Sequence, residues 1–213
     1  METADLIDSL ANELEPVSQA AVPLGLTRAV VLGGAVSFVI MWAWLGIRPD
    51  LDAAVDTTHF WMKFGYALAL TIFAVLALER LSRPVAEIPR AGLGFAATVG
   101  LLALIAAVEW MLAAPGARHS LMMGHSASVC SLRIVLLSLP VFASVCWRVR
   151  SFAPTRMALA GAAAGLAAGA AGAWVYAFHC DESAAPFVVI FYTLGITAVG
   201  ALGGLIGRFA LRW

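Results

Sequence analysis

The chain has 213 residues, 62% of them hydrophobic and 12% charged, so most of its length cannot be the surface of a soluble domain. Its formal net charge is zero, which argues against nucleic acid as the main partner, because phosphate binding needs a concentrated basic surface. Three cysteines allow at most one internal disulfide, which excludes a disulfide scaffold and leaves an integral membrane protein.

The N-terminus carries Glu2, Asp5, Asp8, Glu13 and Glu15 and no base before Arg28, the opposite of a secretory signal, so the segment is expected to be retained. Within it Leu6, Ile7, Leu10, Leu14 and Val17 recur at helical spacing, Asp5 can cap, and Pro16 ends the pattern. A helix of about 11 residues is too short to be stable alone, so it is expected to order on a partner. Five acids are repelled by an anionic leaflet, whereas an acidic amphipathic helix suits a groove on a basic cytoplasmic protein. DNA-binding proteins are the commonest of these, which points to a transcription factor held at the membrane.

Six apolar stretches follow, each about as long as a bilayer-spanning helix needs. They run over Ala29 to Ile47, Phe60 to Leu78, Leu93 to Leu112, Cys130 to Trp147, Met157 to Ala177 and Phe187 to Ile206. Strand alternation is absent, so the fold class is an all-α membrane protein: a six-transmembrane-helix bundle with a short N-terminal amphipathic helix. The division is residues 1–28, a cytoplasmic partner-binding segment, and 29–213, the transmembrane domain.

Bases in the flanking segments orient the bundle. Arg28, Arg80, Arg83, Arg90, Arg148, Arg150, Arg156, Arg208 and Arg212 fall on one side, against Arg48 and Arg118 on the other, which puts both termini in the cytoplasm. Trp42, Trp44, Trp61, Trp110, Trp147 and Trp213 lie near span ends, as an aromatic belt does. Gly161, Gly165 and Gly169 in the fifth span, with Gly200, Gly203, Gly204 and Gly207 in the sixth, allow close backbone approach. Two uses are open: packing these spans within one chain, or pairing two copies as a homodimer.

This orientation places all four histidines on the outer side, with Cys130 and Cys180. Cys146 lies at the other end of the fourth span, roughly 24 Å along a helix from Cys130 at 1.5 Å per residue, so it cannot pair with either. Cys130 and Cys180 are therefore the candidate pair. Arg133, one turn from Cys130, favours its thiolate, whereas Asp181 and Glu182 follow Cys180, so Cys130 is expected to be the more reactive thiol.

Three chemistries are open at this pair. It could be a structural disulfide, a switchable disulfide, or a soft-metal site on Cys130, Cys180, His179 and His125, although the spacing matches no known metal motif. His59 and His119 read as solvated loop residues. Lys63, Glu109 and Arg133 are shallow intramembrane charges at the same end. Either the two cations snorkel to the interface, or one of them pairs with Glu109.

Several stretches resemble one known family: "LIDSLANELEPV", "WMKFGYALAL", "GHSASVCSLRIVLLSLPVF", "LAGAAAGLAAGAAGAWVYAFHCDE" and "FYTLGITAVGALGGLIGRFALRW" are similar to those of the NrsF family, negative regulators of sigma factor F. The resemblance covers nearly the whole chain and is most specific in the C-terminal half and "YAFHC". It implies a non-enzymatic integral-membrane anti-sigma factor of the bacterial inner membrane that holds an extracytoplasmic-function sigma factor inactive. It further implies that Cys130 and Cys180 are needed for the response to metal or oxidative stress, with no obligatory cofactor and a soft divalent ion as the candidate ligand. The segment from Leu6 to Val17 matches the expected sigma-binding part, and Cys146 matches no family requirement. The alternatives from other classes are a membrane thiol/quinone oxidoreductase, which would want a closely spaced cysteine pair, and a small transporter, which would want discontinuous helices and midplane charges.

Overall fold

A computed structural model describes residues 20–83 and 90–212, and these form helices and turns without a strand. The apolar stripe of Leu6, Ile7, Leu10, Leu14 and Val17 and the terminal Trp213 lie outside the described residues. Among the described residues, six helices are long and apolar enough to cross a membrane. They are α1 (Ala21–Trp44), α3 (Thr58–Leu81), α4 (Ala91–Leu112), α6 (Ala127–Arg150), α7 (Met157–Tyr176) and α8 (Ala185–Ala210). Two short helices that hydropathy cannot reveal, α2 (Leu51–Ala54) and α5 (Arg118–Met123), fill connections at one end.

The first span starts at Ala21, two turns before its most apolar run. Pro23 is tolerated there because the first amide groups of a helix have no partner within it. Arg28 is thus part of α1 rather than of the segment preceding it.

The position of each helix follows from its residue sizes. In α7, built largely of alanine and glycine, 72% of the most apolar window is buried, whereas in α4 the share is 11%. Lipid is as apolar as leucine, so helices gain contact in a bilayer by close approach of small residues, and the thinnest helix takes the centre. Accordingly α7 packs against α1, α3, α6 and α8. A Cβ on Gly161 would lie 2.3 Å from the Gly203 carbonyl oxygen, and one on Gly165 would lie 2.3 Å from that of Val199. Gly172 meets Ser138 of α6 in the same way. The glycine faces of the fifth and sixth spans are therefore in contact within one chain, which is the first of the two uses their spacing allows.

Pro140 sits inside α6 and cannot donate to the ladder. On that stretch Gly33 of α1 approaches Val141 and Pro140, Ser37 Oγ donates to the Leu137 carbonyl at 2.7 Å, and Ser144 Oγ donates to the Ala29 carbonyl at 2.7 Å. Hydroxyl groups thus bind the two helices where the proline has loosened one of them. Trp42, Trp44, Trp61 and Trp147 are exposed near helix ends, in the positions an interfacial belt occupies.

Candidate functional site

The loop between α7 and α8 begins as a tight turn, with the amides of His179 and Cys180 both donating to the Tyr176 carbonyl at 2.9 and 3.0 Å. Phe178 is driven into an aromatic cluster by apolar burial. Its ring meets Phe38, Phe64 and Trp174 edge to face, at centroid distances of 5.4, 4.7 and 5.1 Å. That anchor turns Cys180 inward, toward the first turn of α6. There the thiols of Cys130 and Cys180, both free and both buried, hydrogen-bond to each other.

Two tyrosines close the sulfur pair. Tyr176 precedes Cys180 by one helical turn, and its hydroxyl faces Cys130. Tyr192 faces Cys180 from a π-helical turn, Val188–Tyr192, at the start of α8. Both side chains are fully buried, and neither hydroxyl has a well-formed bond to oxygen or nitrogen. A π turn adds a residue to the helical repeat and redirects the side chains that follow, a device common at functional sites. Its loosened ladder is held by Ser131 Oγ, which donates to the Phe191 carbonyl at 2.8 Å. One residue after Cys130, α6 is thereby tied to the turn that carries Tyr192.

The cations at this end hold the loop backbone. Lys63 is fully buried, so it does not snorkel, and its Nζ donates to the carbonyls of Cys180 at 2.7 Å and Glu182 at 3.0 Å. Arg48 adds a second donor to the Cys180 carbonyl at 3.3 Å and grips both carboxylate oxygens of Asp50 at 2.7 Å. That fork lowers Asp50 to about 2 through its hydrogen bonds. Arg133 reaches His179 Nε2 at 3.2 Å, and His179 Nδ1 lies 3.0 Å from the Gly46 carbonyl. Because a guanidinium can only donate and a carbonyl can only accept, these two contacts fit the tautomer that carries its proton on Nδ1.

Neither expected pairing with Glu109 forms. Glu109 instead accepts from the Ala185 amide at 3.0 Å, capping the start of α8, and its other oxygen lies 3.9 Å from His59. Unsatisfied backbone groups at a helix end and a loop compete for these charges, and they win over a direct ion pair. Glu182 accepts from the His125 amide and thereby joins the loop to the turn before α6. That turn passes through Gly124 at φ +47°, where a Cβ would strike the Glu182 carboxylate.

These neighbours act directly on the Cys180 thiol. The hydrogen bond from Cys130, with the Lys63 ammonium and the Tyr192 hydroxyl assisting against burial, lowers Cys180 to about 6. Arg133 is engaged with His179, and the Glu182 carboxylate points to the His125 amide. Arg133, expected to favour the Cys130 thiolate, and Glu182, expected to oppose that of Cys180, thus act elsewhere. Sequence adjacency misleads for Arg133 and Glu182 because both are spent on other partners, whereas Asp181 is exposed beside Cys180.

Of the four proposed metal donors, the structure brings Cys130 and Cys180 together. His179 lies alongside with both nitrogens engaged, and the His125 side chain is exposed. Among the described residues no group of three or more histidine, cysteine or carboxylate side chains converges as a metal site would. Cys146 is far from the pair, in the second apolar cluster of the bundle. Tyr176, Tyr192 and Arg48 belong to the site although the sequence did not single them out. The helical spacing of Tyr176 and Cys180 was one signal for them, and a base on the base-poor side of the bundle was another.

Comparison with known proteins agrees over the whole length. The family model described as "NrsF: Negative regulator of sigma F" matches residues 10–213. The chain is 38% identical over 215 residues to the anti-sigma-F factor NrsF of Caulobacter vibrioides (strain NA1000 / CB15N), covering 100% of both chains. It is 40% identical over 216 residues to the probable anti-sigma-F factor NrsF of Azospira oryzae (strain ATCC BAA-33 / DSM 13638 / PS), again with 100% of both covered. No solved structure matches. With a model match and two relatives spanning the full bundle, the chain belongs to the NrsF family of negative regulators of sigma F.

Proposed function

We propose that the protein is an inner-membrane anti-sigma factor that captures an extracytoplasmic-function sigma factor through its acidic N-terminal segment and releases it when the Cys130 and Cys180 pair is modified from outside. Family membership supports the regulatory role. The concentration of arginines at the end opposite the sulfur pair supports cytoplasmic termini and an outward-facing pair. The observation that carries the sensing role is the contact between the two thiols, because it joins α6 to the loop between α7 and α8 at a single chemical point.

Either of two signals acts on that point. A peroxide removes two electrons and two protons from the thiols, leaving a disulfide and water, whereas a soft divalent ion displaces thiol protons and binds sulfur. Both replace the thiol protons and so alter the contacts that the two sulfurs make with each other and with Tyr176 and Tyr192. Shifting a two-state element from 1:99 to 99:1 takes about 5.5 kcal/mol of differential stabilisation. A disulfide contributes about 2 to 4 kcal/mol, enough for part of that shift, and a metal contributes more.

Capture of the sigma factor is assigned to the apolar stripe of Leu6, Ile7, Leu10, Leu14 and Val17, flanked by acids that suit a basic partner. Co-purification of the sigma factor with the full chain tests it. Leu10→Asp puts a charge in the stripe and should abolish capture while the protein still reaches the membrane. Undiminished capture would remove the segment from the binding surface.

A further inference from the structure

At the arginine-rich end, residues of α1 and α6 line an open groove of about 470 Å³. Arg28 and Arg148 flank it, Ala29, Leu32 and Trp147 form its apolar wall, and Gly25 lies beneath Arg148. The Arg148 guanidinium is already positioned. It crosses the bare backbone of Gly25, where a Cβ would lie 2.4 Å from its Nε, and stacks 4.9 Å from the centre of the Phe152 ring. Arg28 is exposed on the facing helix.

Charge decides what suits this groove. Among the described residues the only carboxylate at this end is Glu79, which is bound to Arg83 at 2.8 Å, and neither groove arginine has a carboxylate partner. Two arginines lining one groove present forked donors that match phosphate geometry. The wall beyond them is apolar, with Leu32 67% exposed and Trp147 81% exposed, so the occupant must join an anionic head to a hydrocarbon body.

We infer that this groove binds an anionic phospholipid, its phosphate between Arg28 and Arg148 and an acyl chain along Ala29 and Leu32. Basic pockets between transmembrane helices take such headgroups at the membrane surface. The site rests on the chain lying in a bilayer. It does not depend on capture of a sigma factor or on which leaflet the groove faces, so its failure leaves the regulatory reading intact.

Native mass spectrometry of the full chain in detergent, supplied with phosphatidylglycerol or phosphatidylcholine at equal concentration, tests the site. The wild type should retain one phosphatidylglycerol in preference to phosphatidylcholine. Arg28→Gln with Arg148→Gln should weaken that retention about thirtyfold, from the usual contribution of an arginine near an anionic surface. Gly25→Ala removes no charge but displaces the Arg148 guanidinium, and it should weaken retention in the same direction. Arg156→Gln, outside the groove, should leave it unchanged. Equal retention of the two lipids by the wild type, or full retention by the double and Gly25 variants, overturns the inference. So does retention that appears only after Glu13→Gln and Glu15→Gln, since the chain's own acidic segment would then be the occupant.

Discussion

The ammonium of Lys63 in α3 donates a 2.7 Å hydrogen bond to the backbone carbonyl of Cys180, so a buried charge and a reactive sulfur are fixed in one place. The same Nζ holds the Glu182 carbonyl at 3.0 Å, and Lys63 itself is fully buried. A buried acceptor left unpaired costs about 1 to 3 kcal/mol. Lys63→Met keeps the length of the side chain and removes the donor. It should lower the thermal midpoint of the detergent-solubilised protein by several degrees and speed proteolysis of the loop after α7. An unchanged midpoint would mean that the loop is held elsewhere.

Cys180, lowered to about 6, should be the faster thiol to alkylate. An acid with a depressed value is ionised above that value, so its rate should be half-maximal near pH 6 and fall as pH drops further. The stability it lends is complete above the ordinary thiol value of 9.0 and is lost as pH falls toward 6. Cys130→Ala removes the largest cause of the shift and should move the profile up toward pH 9. Iodoacetamide labelling read by mass spectrometry in a Cys146→Ser background checks both. A wild-type profile centred near 9 would contradict the assignment.

Two glycine substitutions should separate packing from helix propensity. Gly165→Ala places a methyl 2.3 Å from the Val199 carbonyl oxygen, a backbone atom that cannot move aside without parting α7 from α8. Overpacking of this kind costs about 1 to 3 kcal/mol. Gly100→Ala on α4 meets nothing within 4 Å and should be neutral or slightly stabilising, because alanine favours a helix over glycine by up to about 1 kcal/mol. Thermal melts of the two variants give the comparison, and equal losses would refute the central placement of α7.

Glu109→Gln removes the charge from the cap on the Ala185 amide and weakens the entry to α8. The expected loss is under about 1 kcal/mol, the range of a charge at a helix N-terminus. Glu109→Ala, which removes the acceptor as well, should lose about 1 kcal/mol. Hydrogen exchange at the start of α8 reads it. Faster exchange confined to that turn is the expected outcome, and unaltered exchange in both variants would show that the cap is dispensable.

Much of the architecture was legible because it depends on properties that run along the chain. Apolar length marks the six spans, and the glycine periodicity of the fifth and sixth spans marks where they meet. The cysteine pair emerged from asking which cysteines share an end. The partners of Lys63, and the one that Arg48 has besides Asp50, were hidden because they are carbonyl oxygens, which every residue carries and no sequence pattern distinguishes. Glu109 was misread for the same reason, its partner being the Ala185 amide. The expected order of the two thiols rests in part on Arg133 and Glu182, neighbours in sequence that are turned toward His179 and His125 in space. Tyr192 depends on a π turn, whose extra residue shifts the helical register on which a face assignment relies.

The sensing role of the sulfur pair is decided by the output of a promoter served by the partner sigma factor, in cells carrying Cys130→Ser together with Cys180→Ser and exposed to cadmium or peroxide. Output in that strain should stay at its unexposed level while the wild type rises. Induction equal to the wild type would contradict the role of the pair.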